Sequence, residues 1–235
     1  MPSLTSPIFL METLNTGNWF TALPTSIQSD IIKMGKTRTV KPSHTLFAQG
    51  GTSNGLYAVI KGELHVTGTS TLGNDVIMAI IRPGDWTGFL ACLDGGLHAY
   101  SATAMTETIV FSLSPSAVAA IFETDVATFR LLQSPELMAA RKVTHFVVEN
   151  MGLPLTQRVA ARLADLGRWG YGPSIGPLAE LEHVSQEELA MSVHASRQKV
   201  NKILRNLAQR NLIEIGYNRI RVLDAAALDR FARGK

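Results

Sequence analysis

The chain has 235 residues, 46% of them hydrophobic and 17% charged, with a formal net charge of +3. That balance supplies a buried core and excludes a largely disordered chain, and no apolar run approaches the roughly 18 residues a membrane-spanning helix needs. One cysteine, Cys92, excludes an internal disulfide framework and any iron–sulfur or zinc site built from the cysteines of one chain.

In chain order, MPSLTSPIFLMETLN lacks the basic start, compact apolar stretch and cleavage site of a secretory leader, so a soluble cytoplasmic protein is expected. Residues 17–36 predict a helical lead-in, with Phe20, Leu23, Ile27, Ile31 and Met34 at helical spacing. From Arg38 to Leu113 the texture changes to short apolar or alternating runs (HTLFAQ, GLYAVIKG, ELHVTG, DVIMAII, HAYSATAM, ETIVFSL) separated by turn signals (GGTSNG, TLGND, RPGD, DGG). Many short strands at that spacing indicate an all-β roll, barrel or sandwich. Helical texture returns after Ser114. Ser134-Pro135-Glu136 then reads as an N-cap, a proline at the first helical position and an early carboxylate, starting a helix from Pro135 to about Asn150. Leu137, Ala140, Val143, Val147 and Met151 lie along one side of that helix, and Phe146 and Val148 widen the apolar surface. Such a helix is either the core of a monomer or has two partners, its own domain and a second subunit; the dimer seam is favoured. Gly152-Leu153-Pro154 breaks it, another helix follows from Leu155 to Leu166, and RWGYGPSIGP reads as a loop. The expected division is therefore an effector-type domain over 1–133, a connecting helix over 134–153 and a C-terminal domain over 154–235. The last part carries 13 Lys and Arg against 8 Asp and Glu, a modest pointer to nucleic acid.

Residues 185–224 carry the most information. Ser185 with Glu188 three residues on is a capping box that starts a helix ending near Ser192–Val193. Ala195-Ser196 offers a second N-cap, and Val200, Ile203, Leu204 and Leu207 continue at helical spacing. A short helix, a tight turn and a longer helix make a helix-turn-helix. Arg197, Gln198, Asn201, Lys202 and Arg205 occupy the arc opposite the apolar side, with Lys199 beside them. That face offers bidentate donors near the helix start, where base edges are read, and cations for phosphates. Leu212 to Val222 then reads as a hairpin with its turn at Gly216-Tyr217-Asn218 and Arg219 at the tip, a wing of the kind that touches the DNA backbone. No Ser/His/Asp order, metal-ligand repeat or Walker-type loop is present, so neither catalysis nor a cofactor is expected.

A β-rich domain, a long connecting helix and a winged helix-turn-helix, in that order, resemble the CRP/FNR family of bacterial transcription regulators. HTLFAQGGTSNGLYAVIKGELHV and RPGDWTG fit its cyclic-nucleotide-binding β-roll, and SQEELA…ASRQKVNKIL its DNA-binding signature, with Gln198 where Glu is frequent and His194 where Gly is usual in the turn. That turn position often needs a positive φ, which His tolerates better than a β-branched residue. The resemblance implies an α+β chain: an N-terminal β-roll, a long dimerisation helix and a C-terminal winged helix-turn-helix. It also implies a homodimer on palindromic duplex DNA, with RNA polymerase as a partner. Arg197 is expected at a guanine edge, Gln198 at the neighbouring base, and Asn201 or Lys202 near a base or phosphate; Ser185, Ser196, Lys199 and Arg219 are candidates for the DNA backbone.

Within the roll, GFLACLDGGLHAYSATA (88–104) falls where the family's phosphate cassette belongs. Cyclic-AMP-binding relatives begin it Gly-Glu-Leu, with Glu on the ribose, and end it with Arg on the cyclic phosphate. Here those stretches are Gly88-Phe89-Leu90 and Tyr100-Ser101. Without the cation a buried phosphate keeps only neutral donors, about half as strong as charge-assisted ones, so gating by cyclic AMP is not expected. Thr144 falls where relatives place Ser or Thr near the adenine. Trp86, Phe89 and Tyr100 either line a pocket for another, unidentified small molecule or fill the roll with no effector at all. Cys92 is either a redox sensor or, as favoured, a buried structural thiol. From a different class, the alternative function is a module sensing a small molecule other than cyclic AMP, with its winged helix used for protein contacts.

Overall fold

The computed structural model describes residues 4–168, 180–217 and 219–234. These form two compact units, one of residues 4–68 and 80–141, the other of 69–79, 142–168, 180–217 and 219–234.

The first unit opens with α1 (Pro7–Leu14), α2 (Asn18–Thr21) and α3 (Thr25–Met34). The lead-in thus starts earlier than the helical spacing from residue 17 indicates: the Ser6 hydroxyl accepts from the Phe9 amide and Pro7 sits in the first turn, so α1 has its own start signal. Strands follow as β1 (Lys36–Val40), β2 (Thr45–Phe47), β3 (Leu56–Lys61), β4 (Leu64–Thr69), β5 (Asp75–Ile81), β6 (Trp86–Thr87), β7 (Ser101–Ala104) and β8 (Thr108–Leu113), with the short α4 (Phe89–Asp94) between β6 and β7. Among the described residues they make two four-stranded sheets, in the orders β1-β8-β3-β6 and β2-β7-β4-β5, with antiparallel registers such as Ala58 opposite Phe111 and Val66 opposite Ala102. The β-rich region expected from Arg38 to Leu113 is therefore a roll of two sheets. α5 (Pro115–Phe122) starts on a Ser114 cap whose hydroxyl accepts from the Ala117 amide.

The core of this unit is aromatic. Trp19 meets Trp86 edge-on at 5.1 Å and Phe89 edge-on at 4.8 Å, and stacks on Phe122 at 5.9 Å. Leu10, Leu14, Phe20, Ile31, Phe111 and Leu132 complete the cluster. Fully burying side chains of this size contributes about 1.5–3 kcal/mol each, so the lead-in helices hold the cassette end of the roll in place.

The long helix corrects the sequence reading. α6 runs without interruption from Val126 to Gly152, so Ser134 is not an N-cap and Pro135 lies inside the helix. A proline there has no amide hydrogen for the carbonyl four residues back, here Leu131. Two other donors take that carbonyl: the Trp19 indole Nε1–H at 2.8 Å and the Ser134 hydroxyl at 2.9 Å. The same Ser-Pro pair that caps α5 at Ser114 is thus tolerated in mid-helix at Ser134, because a tryptophan far away in sequence replaces the lost bond. The boundary expected after residue 133 falls within this helix.

Gly152-Leu153-Pro154 does end α6, and α7 (Leu155–Gly167) begins after Pro154. Beyond Arg168, the Gly/Pro-rich stretch expected as a loop lies outside the described residues. The second unit continues with β9 (Leu181–Glu182), α8 (Gln186–Ser192), α9 (Arg197–Gln209), β10 (Ile213–Gly216), β11 (Arg219–Val222) and α10 (Ala225–Ala232). β9 adds a third strand to the expected wing, in the order β10-β11-β9, and α10 is a further element that the pattern did not announce. Its Asp229 receives a forked pair of bonds from Arg168 at the end of α7, one of them 2.7 Å long. Residues 69–79, the outer part of the β4–β5 hairpin, belong to this unit as well. There the buried Arg162 of α7 donates to the carbonyls of Ile77 at 2.6 Å and Met78 at 3.0 Å, and lies over the Phe146 ring at 4.9 Å. Burial pulls its pKa down to about 10, still high enough to keep the guanidinium charged at neutral pH.

Replacing Trp19 by Phe removes the indole donor and, with it, the pyrrole half of a buried ring. We expect Trp19→Phe to cost about 1–2 kcal/mol for the lost hydrogen bond, plus a cavity term that the proline background leaves unchanged, in a urea titration. Against a Pro135→Ala background, where residue 135 regains its amide hydrogen, the cost should shrink markedly. Equal costs in both backgrounds would refute the link between Trp19 and the helical proline.

Candidate DNA-reading surface and ligand cassette

The helix-turn-helix is built by local signals. The Ser185 hydroxyl accepts from the Glu188 amide at 3.1 Å while the Glu188 carboxylate accepts from the Ser185 amide at 2.8 Å, so both halves of the capping box are present. α8 then ends at Ser192, and the chain turns through His194 at φ 52, the left-handed conformation that this turn position requires. The Ala195 amide closes the turn on the Ala190 carbonyl at 2.9 Å. Ser196 caps α9 by accepting from the Lys199 amide.

α9 is divided as its spacing predicts. Val200, Ile203, Leu204 and Leu207 are buried, whereas Arg197, Gln198, Lys199, Lys202 and Arg205 are exposed and Asn201 is half-buried. Gln198, Asn201, Lys202 and Arg205 line one shallow groove, which Asn206 and Gln209 continue along the helix. A second hollow gathers Ser185, Gln186 and Glu187 from the start of α8, Arg197 from the start of α9, and Gly216 and Arg219 from the wing. Ser185, Arg197 and Arg219, far apart in sequence, therefore face one concave surface. Two features escaped the sequence reading. Glu187 brings a negative charge into that hollow, and the wing arginines have acidic neighbours, Glu180 at 3.5 Å from Arg219 and Glu214 at 3.9 Å from Arg221. The β9 pairing that brings Glu180 close is not visible as a pattern. The exposed Tyr217 stands at the wing tip.

The cassette residues occupy the first unit. Gly88 adopts φ 95 immediately before α4, and a Cβ there would stand 2.8 Å from the Gly55 carbonyl oxygen, so only glycine fits both the conformation and the space. Phe89 and Trp86 are fully buried against Trp19, as part of the aromatic core. Tyr100 is half-buried; its hydroxyl accepts from the Gly88 amide and hydrogen-bonds the Thr87 side chain, and burial raises its pKa. The Ser101 hydroxyl accepts from the Gln49 amide at 2.9 Å. Leu90 is partly exposed, and its amide donates to the Glu136 carboxylate of α6, whose pKa burial pushes up. His98 is buried, stacks on Phe47 at 4.0 Å, and has its pKa lowered by burial. Thr144 lies on an exposed side of α6 in the second unit, whereas the other cassette candidates share the first. Cys92 is half-buried, and burial with nearby Glu123 pushes its thiol up to about 11. At neutral pH that thiol is protonated, the opposite of what a redox sensor requires.

Residues 37–125 match the cyclic nucleotide-binding domain family, and residues 157–231 match the Crp-like helix-turn-helix domain family. The chain is 28% identical to the CRP-like cAMP-activated global transcriptional regulator of Mycobacterium tuberculosis over 191 residues, 81% of this chain and 85% of that one. It is also 28% identical to the cyclic AMP receptor protein of Thermus thermophilus, over 80% of this chain and 84% of that one. Among solved structures, a CRP-family transcriptional regulator from Thermus thermophilus superposes with a TM-score of 0.62 at 26% identity, covering 84% of this chain and 97% of that one.

Proposed function

The chain belongs to the CRP/FNR family of transcription regulators, and from that premise we propose that it acts as a homodimer that reads palindromic duplex DNA without gating by cyclic AMP. The observation that carries the DNA reading is the concave surface shared by Ser185, Arg197 and Arg219, continued by the groove of Gln198, Asn201 and Lys202. In this reading Arg197 forks onto a guanine in the major groove and Gln198 reads the adjacent base. Asn201 or Lys202 reaches a base or phosphate. Ser185, Ser196, Lys199 and Arg219 hold the DNA backbone and set the register. Gly88, Phe89, Leu90, Tyr100, Ser101 and Thr144 are what remains of an effector site. The functional division lies at Pro154, with an effector-type domain and the connecting helix before it and the DNA-binding domain after it.

The homodimer reading is supported by α6. Leu137 is 57%, Val143 46%, Val147 46%, Val148 63% and Met151 85% exposed in the single chain. Leaving such a face in water is unfavourable by about 25 cal/mol per Å², and pairing with a second copy removes it. Two copies of α9 related by a two-fold axis would then face successive major grooves, which is why the expected target is a palindrome. RNA polymerase is the further partner that membership of the family suggests, and the cytoplasm is where these partners meet. Among the described residues no helix is long and apolar enough to cross a membrane. The relatives are transcription regulators, and the chain is assigned no catalytic role.

The reading parts from the relatives named for cyclic AMP at the cassette. A phosphate there would meet Tyr100 and Phe89 in place of a guanidinium and a carboxylate, and the Gly88 and Leu90 amides already have acceptors from the chain itself. Burying an anion whose charge is not matched costs several kcal/mol. Charge at these two positions therefore opposes a cyclic nucleotide.

Two measurements test this function. Arg197→Ala should weaken binding to the selected palindrome by about 1–3 kcal/mol while sparing non-specific binding at low salt; unchanged discrimination between the palindrome and scrambled DNA would contradict the assignment. Val147→Arg, which places a charge on the exposed face of α6, should shift the chain from dimer to monomer in analytical ultracentrifugation and abolish palindrome binding. A variant that remains dimeric would remove α6 as the seam.

A further inference from the structure

α6 and α7 meet at an elbow around Gly152-Leu153-Pro154. So short a turn leaves the angle between two helices to the contacts made across it. The last carbonyls of α6 have no intrahelical donors, and a cation at that end also meets the negative end of the helix dipole. Arg158, in the first turns of α7, supplies the donor: its Nη1 bonds the Asn150 carbonyl at 2.8 Å. The Asn150 side chain donates back along α6 to the Phe146 carbonyl at 3.1 Å. One turn further along α7, the buried Arg162 lies over the Phe146 ring at 4.9 Å. Phe146 and Asn150 are one turn apart on α6, as Arg158 and Arg162 are on α7, so each pair lies along one side of its helix. The two helices are thus braced by two rungs, Asn150 with Arg158 beside the bend and Phe146 with Arg162 farther from it. Arg162 is held from a third direction as well, by the carbonyls of Ile77 at 2.6 Å and Met78 at 3.0 Å, which gives the outer rung a fixed end. A single contact beside a bend lets the helices open or twist about it; a second, farther out, fixes their angle. All six residues belong to the second unit.

We propose that Arg158 and Arg162 are positioning residues for DNA reading: they set the angle between α6 and α7 with no small molecule bound, and with it the separation of the two recognition helices in a dimer. α8 and α9 pack on α7, so the DNA-reading face follows the direction of α7, while Val143, Val147 and Met151 on α6 belong to the proposed seam. A rigid elbow matches one half-site separation in a palindrome, and a loose one accepts several. The inference rests on the reading of the chain as a dimeric DNA-binding regulator.

Two readouts on full-length protein without nucleotide separate the brace from that reading. Removing the buried Arg162 threatens the fold itself, so the variants are Arg158→Ala, Arg158→Lys and Phe146→Leu. The first readout is the distance between nitroxide labels by pulsed electron paramagnetic resonance, in a Cys92→Ser chain carrying His145→Cys on α6 and Ala226→Cys on α10, which packs on α7. Both positions are exposed, and dilution into unlabelled chains keeps one labelled copy per dimer. The parent chain should give one narrow distance peak, and Arg158→Ala and Phe146→Leu should each broaden or split it. Arg158→Lys, which can still donate one bond to the carbonyl, should stay close to the parent. A broad distribution in the parent, or a narrow one retained in Arg158→Ala or Phe146→Leu, would overturn the brace whatever the protein does to DNA. The second readout is affinity for palindromes whose half-site separation is changed by one or two base pairs. The wild-type chain should prefer one separation by about tenfold or more. In Arg158→Ala that preference should fall to about threefold or less, with binding to scrambled DNA at low salt unchanged and Arg158→Lys between the two. An undiminished preference in a variant whose distances have broadened would overturn the positioning role. Failure of the wild-type chain to bind any palindrome, with a narrow distance peak, would instead strike the DNA-binding reading.

Discussion

A proline inside a long helix leaves one carbonyl without its donor, and the arrangement of the N-terminal unit is organised around supplying that donor from elsewhere. Pro135 cannot bond the Leu131 carbonyl, and the Trp19 indole does so at 2.8 Å, with the Ser134 hydroxyl at 2.9 Å as a second donor. Because Trp19 also packs edge-on against Trp86 and Phe89, the bond joins three regions: the lead-in helices, the cassette of the roll and the long helix. A hydrogen bond to a partly buried carbonyl of this kind contributes about 0.5–1.5 kcal/mol, and the aromatic contacts that position the indole add about 0.5–1.5 kcal/mol each beyond their burial. The same residue thus bears the polar and the apolar part of the junction, which is why the helix can carry a proline at this point without breaking.

Charge is the second constraint. The cassette retains the backbone geometry of an anion-binding turn, with Gly88 in the left-handed region and the amides of α4 beyond it. The two positions where relatives carry charge are, however, the uncharged Phe89 and Tyr100. Shape and charge therefore point in different directions, and the proposed independence of cyclic AMP rests on charge, since burying an unmatched anion costs more than neutral amides return. Phe89 adds a steric reason. It is not turned toward a ligand but packed into the core against Trp19, so restoring a polar residue there would disturb the packing before it could bind anything.

Much of this is legible in the sequence, and the residues that are not share a cause. The capping box of Ser185 and Glu188, the positive φ of His194 and the two sides of α9 follow from signals within a few residues, and the structure has each of them where the pattern puts it. Ser134-Pro135-Glu136 misleads because its local chemistry is the same as that of Ser114-Pro115, which does cap a helix. What distinguishes the two is Trp19, 112 residues away from the carbonyl it serves, and no local window contains it. Glu136 reads as an early helical carboxylate for the same reason; its partner, Leu90, lies across the fold. The third wing strand and the inclusion of residues 69–79 in the second unit also depend on distant pairings, Arg219 with Glu182 and Arg162 with Ile77. The choice between a ligand-lined and a side-chain-filled roll does not follow from Trp86 and Phe89 as residue types, because an aromatic serves either purpose.

The central proposal is that this member of the family reads DNA without gating by cyclic AMP. The most direct test titrates a selected palindromic duplex with purified full-length protein, with and without saturating cyclic AMP, at one fixed salt concentration, since phosphate contacts make affinity depend steeply on salt. The account predicts tight, specific binding in both titrations, with dissociation constants that agree within experimental scatter. Specific binding that appears only when cyclic AMP is present would contradict it.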